Sequence, residues 1–244
     1  MEFVMKSAEY AVDKFIEKTA KPFIIGIGSG STVIYAVEFI AKRYREENLN
    51  IICVPSSFQA KQLIVSHKLP LGDLELFPNL DLALDGADEV DKNQTLIKGG
   101  GACLTMEKIV AFNSKKFIVI ADESKCSDFL GQKWKTGIPV EVIPVSYVSV
   151  IRHLKMLNYE AVLRYGINKA GPIVTDNGCF ILDLMFDAKK ERNWAEENQK
   201  IKMIPGVVET GLFVNMADYV IFGKNDSTSR IVSNFENKTT VAQL

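Results

Sequence analysis

Phe23-Ile24-Ile25-Gly26-Ile27-Gly28-Ser29-Gly30-Ser31-Thr32, running into the segment Val33 to Tyr44, decides the fold class. Phe23 to Ile27 is an apolar run of strand length, Gly28 to Thr32 a glycine-rich turn, and Val33 to Tyr44 has the apolar spacing of a helix. Upstream, Ala8, Ala11, Val12, Phe15 and Ile16 also recur at helical spacing. Downstream the same alternation repeats. Ile51-Ile52-Cys53-Val54 reads as a strand, Phe58 to Ser66 as a helix, Asp81 to Asp85 as a buried strand, Leu104 to Ser114 as a helix and Lys116 to Ala121 as a strand. Buried strands alternating with helices predict a parallel sheet covered on both faces.

After Lys125 the pattern changes. Pro139–Val142 and Ala161–Arg164 read as strands around a helix from Tyr147 to Leu157. Ile173–Thr175 and Phe180–Leu184 flank Asp176-Asn177-Gly178, a hairpin signal. Residues 187–200 read as a charged helix. This layout suits a small α+β domain of ferredoxin-like type, and Gly211 to Gly223 is an apolar run able to rejoin the first sheet. The expected architecture is therefore α/β: a Rossmann-like domain of residues 1–129 plus 208–244, interrupted by a smaller ferredoxin-like α+β domain of residues 130–207.

Composition bounds the function. The 244 residues carry 29 Lys+Arg against 30 Asp+Glu, a formal net charge of −1, without the basic surplus of a dedicated nucleic-acid binder. No window reaches the roughly 18 uncharged apolar residues of a transmembrane helix, and no signal-peptide core is seen at the N-terminus. The four cysteines are scattered, with neither disulfide nor zinc-ligand spacing, so free thiols and a cytoplasmic setting are expected. The triplets at Asn93, Asn225 and Asn237 are then chance matches to a glycosylation pattern.

Ligands of open parallel α/β sheets bind beyond the carboxyl ends of the strands. Three unusual segments fall at such ends. Gly26, Gly28 and Gly30 leave backbone N–H groups open to an anion, and Ser29, Ser31 and Thr32 add hydroxyls ahead of a helix N-terminus. Taken alone, this loop also reads, less readily, as a tight turn without a ligand. It is neither GxGxxG, nor Walker A, nor a nucleophile elbow. Asp85-Gly86-Ala87-Asp88-Glu89-Val90-Asp91 concentrates carboxylates. Glu89 and Asp91 are equally readable as a solvated turn, while Asp85 ends the apolar run Leu82–Leu84 and should face the mouth of the sheet. Lys98-Gly99-Gly100-Gly101 leads into a helix carrying Glu107 in its first turn. Three glycines in a row cost backbone entropy unless something must come close. His67 and His153 have no metal-binding or triad arrangement. A phosphate cradle, carboxylates, one or two lysines and no cofactor fingerprint suit proton transfer on a phosphorylated sugar.

At these same segments the sequence resembles the type A ribose-5-phosphate isomerase family. The stretches that carry the resemblance are GIGSGSTV (26–33), LALDGADEVD (82–91), IKGGGACLTMEKIVA (97–111), IADESK (120–125) and IPGVVETGLFVNMADYVIFG (204–223). The resemblance implies aldose–ketose interconversion of ribose 5-phosphate and ribulose 5-phosphate in the pentose phosphate pathway, with no metal and no organic cofactor. It also implies a homodimer or homotetramer. Carried over residue by residue, Glu107 is the general base, and Asp85 and Lys98 handle ring opening and proton traffic at oxygen. Asp88 binds sugar hydroxyls; Ser29, Gly30, Ser31 and Thr32 line the phosphate site. Gly86, Ala87, Gly99, Gly100 and Gly101 border the substrate, and Lys125 adds a cationic contact. Phosphate or another anion is expected to occupy the same place. The chain departs from the family pattern at Ser29, where threonine is common, and at Met106, where arginine is frequent.

Two rivals are an amino-sugar-phosphate deaminase on a related fold and a sugar-phosphate-sensing regulator. The lack of a catalytic histidine beside LTMEK disfavours the first. The 22 residues ahead of Phe23 are too few for a helix-turn-helix domain, which disfavours the second.

Overall fold

The computed structural model describes residues 2–223 and 229–233, so Asn225 and Asn237 lie outside the described residues. In chain order the elements are α1 (Glu2–Phe15), β1 (Phe23–Ile27), α2 (Ser31–Glu47), β2 (Ile51–Pro55), α3 (Phe58–Ser66) and β3 (Leu82–Asp85). There follow β4 (Glu89–Val90), β5 (Leu96–Ile97), α4 (Leu104–Phe112), β6 (Phe117–Asp122), β7 (Ile138–Val142), α5 (Tyr147–Met156), β8 (Glu160–Leu163) and β9 (Phe180–Met185). The last are α6 (Trp194–Lys202), β10 (Val207–Thr210), β11 (Leu212–Phe213), β12 (Tyr219–Gly223) and β13 (Ser229–Ser233). No helix among the described residues is long and apolar enough to cross a membrane. None of the four cysteines is in a disulfide.

The chain divides into two compact units. The first comprises Met1–Gly86, Ile109–Glu123 and Asn215–Leu244, the second Ala87–Lys108 and Ser124–Val214. The first holds a six-stranded sheet in the order β13-β12-β6-β3-β1-β2. Every pair in it is parallel except β12–β13. This is the expected Rossmann-like sheet. β1, β3 and β6 are buried along almost their whole length, which explains why they read as continuous apolar runs rather than alternating ones. Ala8, Ala11 and Val12 of α1 and Val33, Val37 and Ile40 of α2 pack with Ile25, Ile27, Leu84 and Ile120 in one core. From β1 the chain turns to β2 on one side, then returns to β3 on the other. The topological switch point therefore lies between the carboxyl ends of β1 and β3.

The second unit is the expected small α+β domain, enlarged by a second sheet. Its four-stranded antiparallel sheet runs β10-β7-β9-β8, with Val150 and Leu154 of α5 and Ile201 of α6 packed on Val140, Val142, Leu182 and Leu184. A three-stranded antiparallel sheet, β11-β5-β4, is built from two-residue strands, too short to show a period of two. Those pairings group residues 87–108 with the second unit. The unit boundaries accordingly differ from the expected division at 129/130 and 207/208.

Three local expectations need revision. Gly211–Gly223 splits between β11 and β12. Ile173–Thr175 forms no strand, because Ile173 N–H donates to Arg164 O rather than to β9. The turn itself is present, with Thr175 N–H donating to Cys179 O and Gly178 at φ +75°. The charged helix begins only at Trp194, where Asn193 Oδ1 accepts from Ala195 N–H and Glu196 N–H.

Candidate active site

The candidate residues fall into two sets, one in each unit. In the first unit, Gly28 N–H donates to Leu84 O at 2.8 Å, which draws the loop onto the end of β3. Asp85, 3% exposed, accepts from Ser29 N–H at 3.0 Å and from Gly86 N–H at 2.7 Å through Oδ1. A Cβ at position 28 would stand 2.1 Å from Asp85 Oδ1. Glycine at that position is therefore a steric requirement of the carboxylate. Gly30 takes φ +98° and leads into α2 without a side-chain cap, and no acid stands in the first turn of α2. The N-terminal N–H groups of α2, with the hydroxyls of the exposed Ser31 and half-buried Thr32, are donors of the kind that hold anions at helix N-termini. Two residues not singled out from the sequence shape this loop. Gln59 Oε1 accepts from Gly30 N–H at 2.8 Å, and Ser56 Oγ lies 3.3 Å from Ser29 Oγ. Both follow β2, itself at a strand end, which was the available signal.

In the second unit, Lys98 directly follows β5 and is 3% exposed, while Glu107 is 5% exposed. Lys98 Nζ lies 3.2 Å from Glu107 Oε2. Phe213 lies beneath this pair, its ring centroid 5.4 Å from Lys98 Nζ and 4.7 Å from Lys108 Nζ. Lys108 Nζ is held by Glu209 Oε1, Thr210 O and Leu212 O at 2.9, 2.5 and 2.9 Å. These contacts anchor the first turn of α4, and with it Glu107.

Between Lys98 and α4 runs the triple-glycine loop. Gly99 has φ +99°, and a Cβ there would lie 2.7 Å from Leu104 Cδ2. Gly100 N–H donates to Asp88 Oδ2 at 2.7 Å, and a Cβ at 100 would meet Asp88 Oδ1 at the same distance. Burial raises the Asp88 carboxyl above its ordinary value, opposed by the Gly100 N–H and by Lys98, Lys125 and Arg164. Lys125 closes a short 3-10 turn, Glu123–Lys125, and is half-buried.

Glu89 and Asp91 do not form a solvated turn. Glu89 is 0% exposed and accepts from Gly131 N–H at 2.5 Å and Lys133 N–H at 2.7 Å. Asp91 accepts from Asn93 N–H and Thr95 N–H, closing the β4–β5 connection. Buried carboxylates that receive backbone N–H groups are structural anchors. Among the described residues no group of three or more His, Cys, Asp or Glu is arranged to hold a metal.

Residues 52–227 match the family model of ribose 5-phosphate isomerase A (phosphoriboisomerase A). The chain is 57% identical over 206 residues to a ribose-5-phosphate isomerase of Sus scrofa, covering 84% of this chain and 67% of that protein. It thus spans about two thirds of the length of that relative. A solved structure of ribose 5-phosphate isomerase A from Methanocaldococcus jannaschii superimposes with a TM-score of 0.87 at 39% identity, covering 95% of this chain and 98% of the other. A structure of D-ribose-5-phosphate isomerase in complex with phospho-erythronic acid gives the same TM-score, identity and coverage. With the model matching well over half of its length, this chain belongs to the ribose 5-phosphate isomerase A family.

Proposed function

We propose that this protein interconverts D-ribose 5-phosphate and D-ribulose 5-phosphate, a step of the pentose phosphate pathway, through an enediolate. The observation that carries the reading is the buried Lys98–Glu107 pair at 3.2 Å, next to a glycine loop in which a Cβ at Gly101 would meet nothing within 4 Å. Glu107 removes the C2 proton of the open-chain aldose. The C2–H electron pair becomes the C1=C2 bond, and the C1 carbonyl pair moves onto O1. Lys98 and loop N–H groups stabilise the negative oxygen, a proton passes from O2 to O1, and protonated Glu107 returns its proton to C1 as the C2 carbonyl forms. Asp85 and Lys98 assist ring opening, and Asp88 accepts from sugar hydroxyls. The Ser29–Thr32 loop and the N-terminus of α2 bind the phosphate, or another anion in its place, and Lys125 adds positive charge. The ligand named for the related structure, phospho-erythronic acid, is itself a phosphorylated sugar acid.

Glu107→Gln tests the base. Turnover of ribose 5-phosphate is expected to vanish while binding of a ribose-phosphate analogue persists; near-normal turnover would overturn the assignment. Family kinship supports extending the proposal to a homodimer or homotetramer in the cytoplasm, checked by light scattering and by imaging the tagged protein.

A further inference from the structure

Arg164, which directly follows β8, is committed to a set of contacts that no sequence motif announced. Its Nε donates to Asp183 Oδ2 at 2.8 Å, and its Nη2 makes a very short contact with Asp183 Oδ1. Its Nη1 donates to two successive carbonyls, Gly99 O at 2.9 Å and Gly100 O at 3.0 Å. The side chain is 13% exposed and that of Asp183 17%. The backbone beneath is held as well, since Arg164 N–H donates to Ile181 O and Arg164 O accepts from Ile173 N–H. Only a planar guanidinium can grip a carboxylate by one edge and two carbonyls with the remaining nitrogen.

The consequence follows from peptide planarity. In a trans peptide the C=O of one residue and the N–H of the next point in opposite directions. Tying Gly99 O to Arg164 turns Gly100 N–H the other way, and it is there that Asp88 Oδ2 receives it. Tying Gly100 O to Arg164 turns Gly101 N–H away from the guanidinium. Gly101 is exposed and has open space around its Cα. Without the clamp, the Gly99–Gly100 peptide keeps the Ala102 N–H and Asp88 contacts, but the Gly100–Gly101 peptide loses its grip on Gly100 O and samples many orientations.

We propose that Arg164, braced by Asp183, is a positioning residue that presets the triple-glycine loop so that its free N–H faces the oxygen on which the enediolate charge develops. The proposal rests on the isomerase reading above. A donor fixed before the charge appears needs no reorganisation during the reaction, so the clamp serves the transition state more than the ground state.

The test compares Arg164→Met and Arg164→Lys with wild type. It measures kcat and KM for ribose 5-phosphate, and affinity for two inhibitors: ribitol 5-phosphate, which lacks the developing charge, and a phosphorylated sugar hydroxamate, which mimics the enediolate. Arg164→Lys retains the charge and most of the bulk and carries the same test should the Met variant not fold. The expected result is a fall in kcat of about 100-fold, as for a mispositioned or missing oxyanion donor. Hydroxamate affinity should fall in parallel, with KM and ribitol 5-phosphate affinity within about threefold of wild type. Turnover and hydroxamate binding within about threefold of wild type would overturn the proposal, as would equal losses for both inhibitors. A wild-type protein that does not isomerise ribose 5-phosphate would instead defeat the isomerase reading, a separable outcome.

Discussion

Gly28 and Asp85 approach so closely that a Cβ on residue 28 would overlap the carboxylate, 2.1 Å from both Asp85 Cγ and Oδ1. The two residues belong to different strand ends, yet each limits what the other position can hold. Gly28→Ala must displace Asp85 from its bonds to Ser29 N–H and Gly86 N–H. A loss of about 1–3 kcal/mol is expected from overpacking, together with a large loss of turnover. At Gly101, where a Cβ would meet nothing within 4 Å, Ala should leave stability within about 0.5 kcal/mol. Urea melts and initial rates on the two variants check the contrast.

Lys98 and Glu107 form a buried ion pair, so removing either partner takes away the opposite charge set against the other. Lys98→Met should destabilise the protein by about 3–5 kcal/mol, because the buried carboxylate loses the cation facing it. Adding Glu107→Gln to that variant should recover part of the loss, while both proteins stay inactive. A double-mutant cycle in denaturant measures the recovery; additive losses would show that the pair is not coupled.

Asp88 carries a pH dependence with a definite sign. Burial raises its carboxyl above the ordinary value, despite the Gly100 N–H and the nearby Lys98, Lys125 and Arg164. In the window between the ordinary and the raised value, the native state binds the proton more than the unfolded state does. Stability from this group is therefore fully present below the ordinary value and is lost as pH rises through the raised one. Relative to Asp88→Asn, the wild type should gain stability as pH falls through that window. Chemical denaturation of both proteins across the acid range reads the difference.

Lys108 gives the alkaline counterpart. Burial lowers its ammonium to about 8, against the raising influence of Glu209. Burial pushes Glu209 up, but Lys108, Lys202 and the Thr210 N–H outweigh it and leave the carboxyl below its ordinary value. As pH rises from about 8 towards the ordinary lysine value of 10.5, the native state sheds the Lys108 proton while the unfolded chain keeps it. This group's contribution to stability should therefore rise with pH in that window, at no more than about 1.4 kcal/mol per pH unit. The rise should be missing from Lys108→Met, and an unchanged slope in that variant would count against the assignment.

The parallel sheet was legible because strands such as Phe23–Ile27 and Phe117–Ala121 are buried on both faces and read as apolar runs of the right length. The catalytic candidates were legible because glycine, carboxylate and lysine gather at strand ends, where open sheets leave a mouth. Glu89 was not, because a solvated acid and one receiving two backbone N–H groups from residues 131 and 133 look alike in sequence. The three-stranded sheet escaped notice because two residues are too few to display alternation.

The sequence by itself determined the alternating α/β class, the glycine positions and the family, since these depend on local burial, backbone freedom and motif order. Only the tertiary structure decided that residues 87–108 pack with the second unit, that Gly28 must yield its Cβ to Asp85, and that Arg164 grips Gly99 and Gly100. Each of those depends on partners 57 to 65 positions apart or on strand partners 115 to 117 apart. A chain's local pattern states which side chains will be buried; which distant group satisfies each one is settled only when the elements pack.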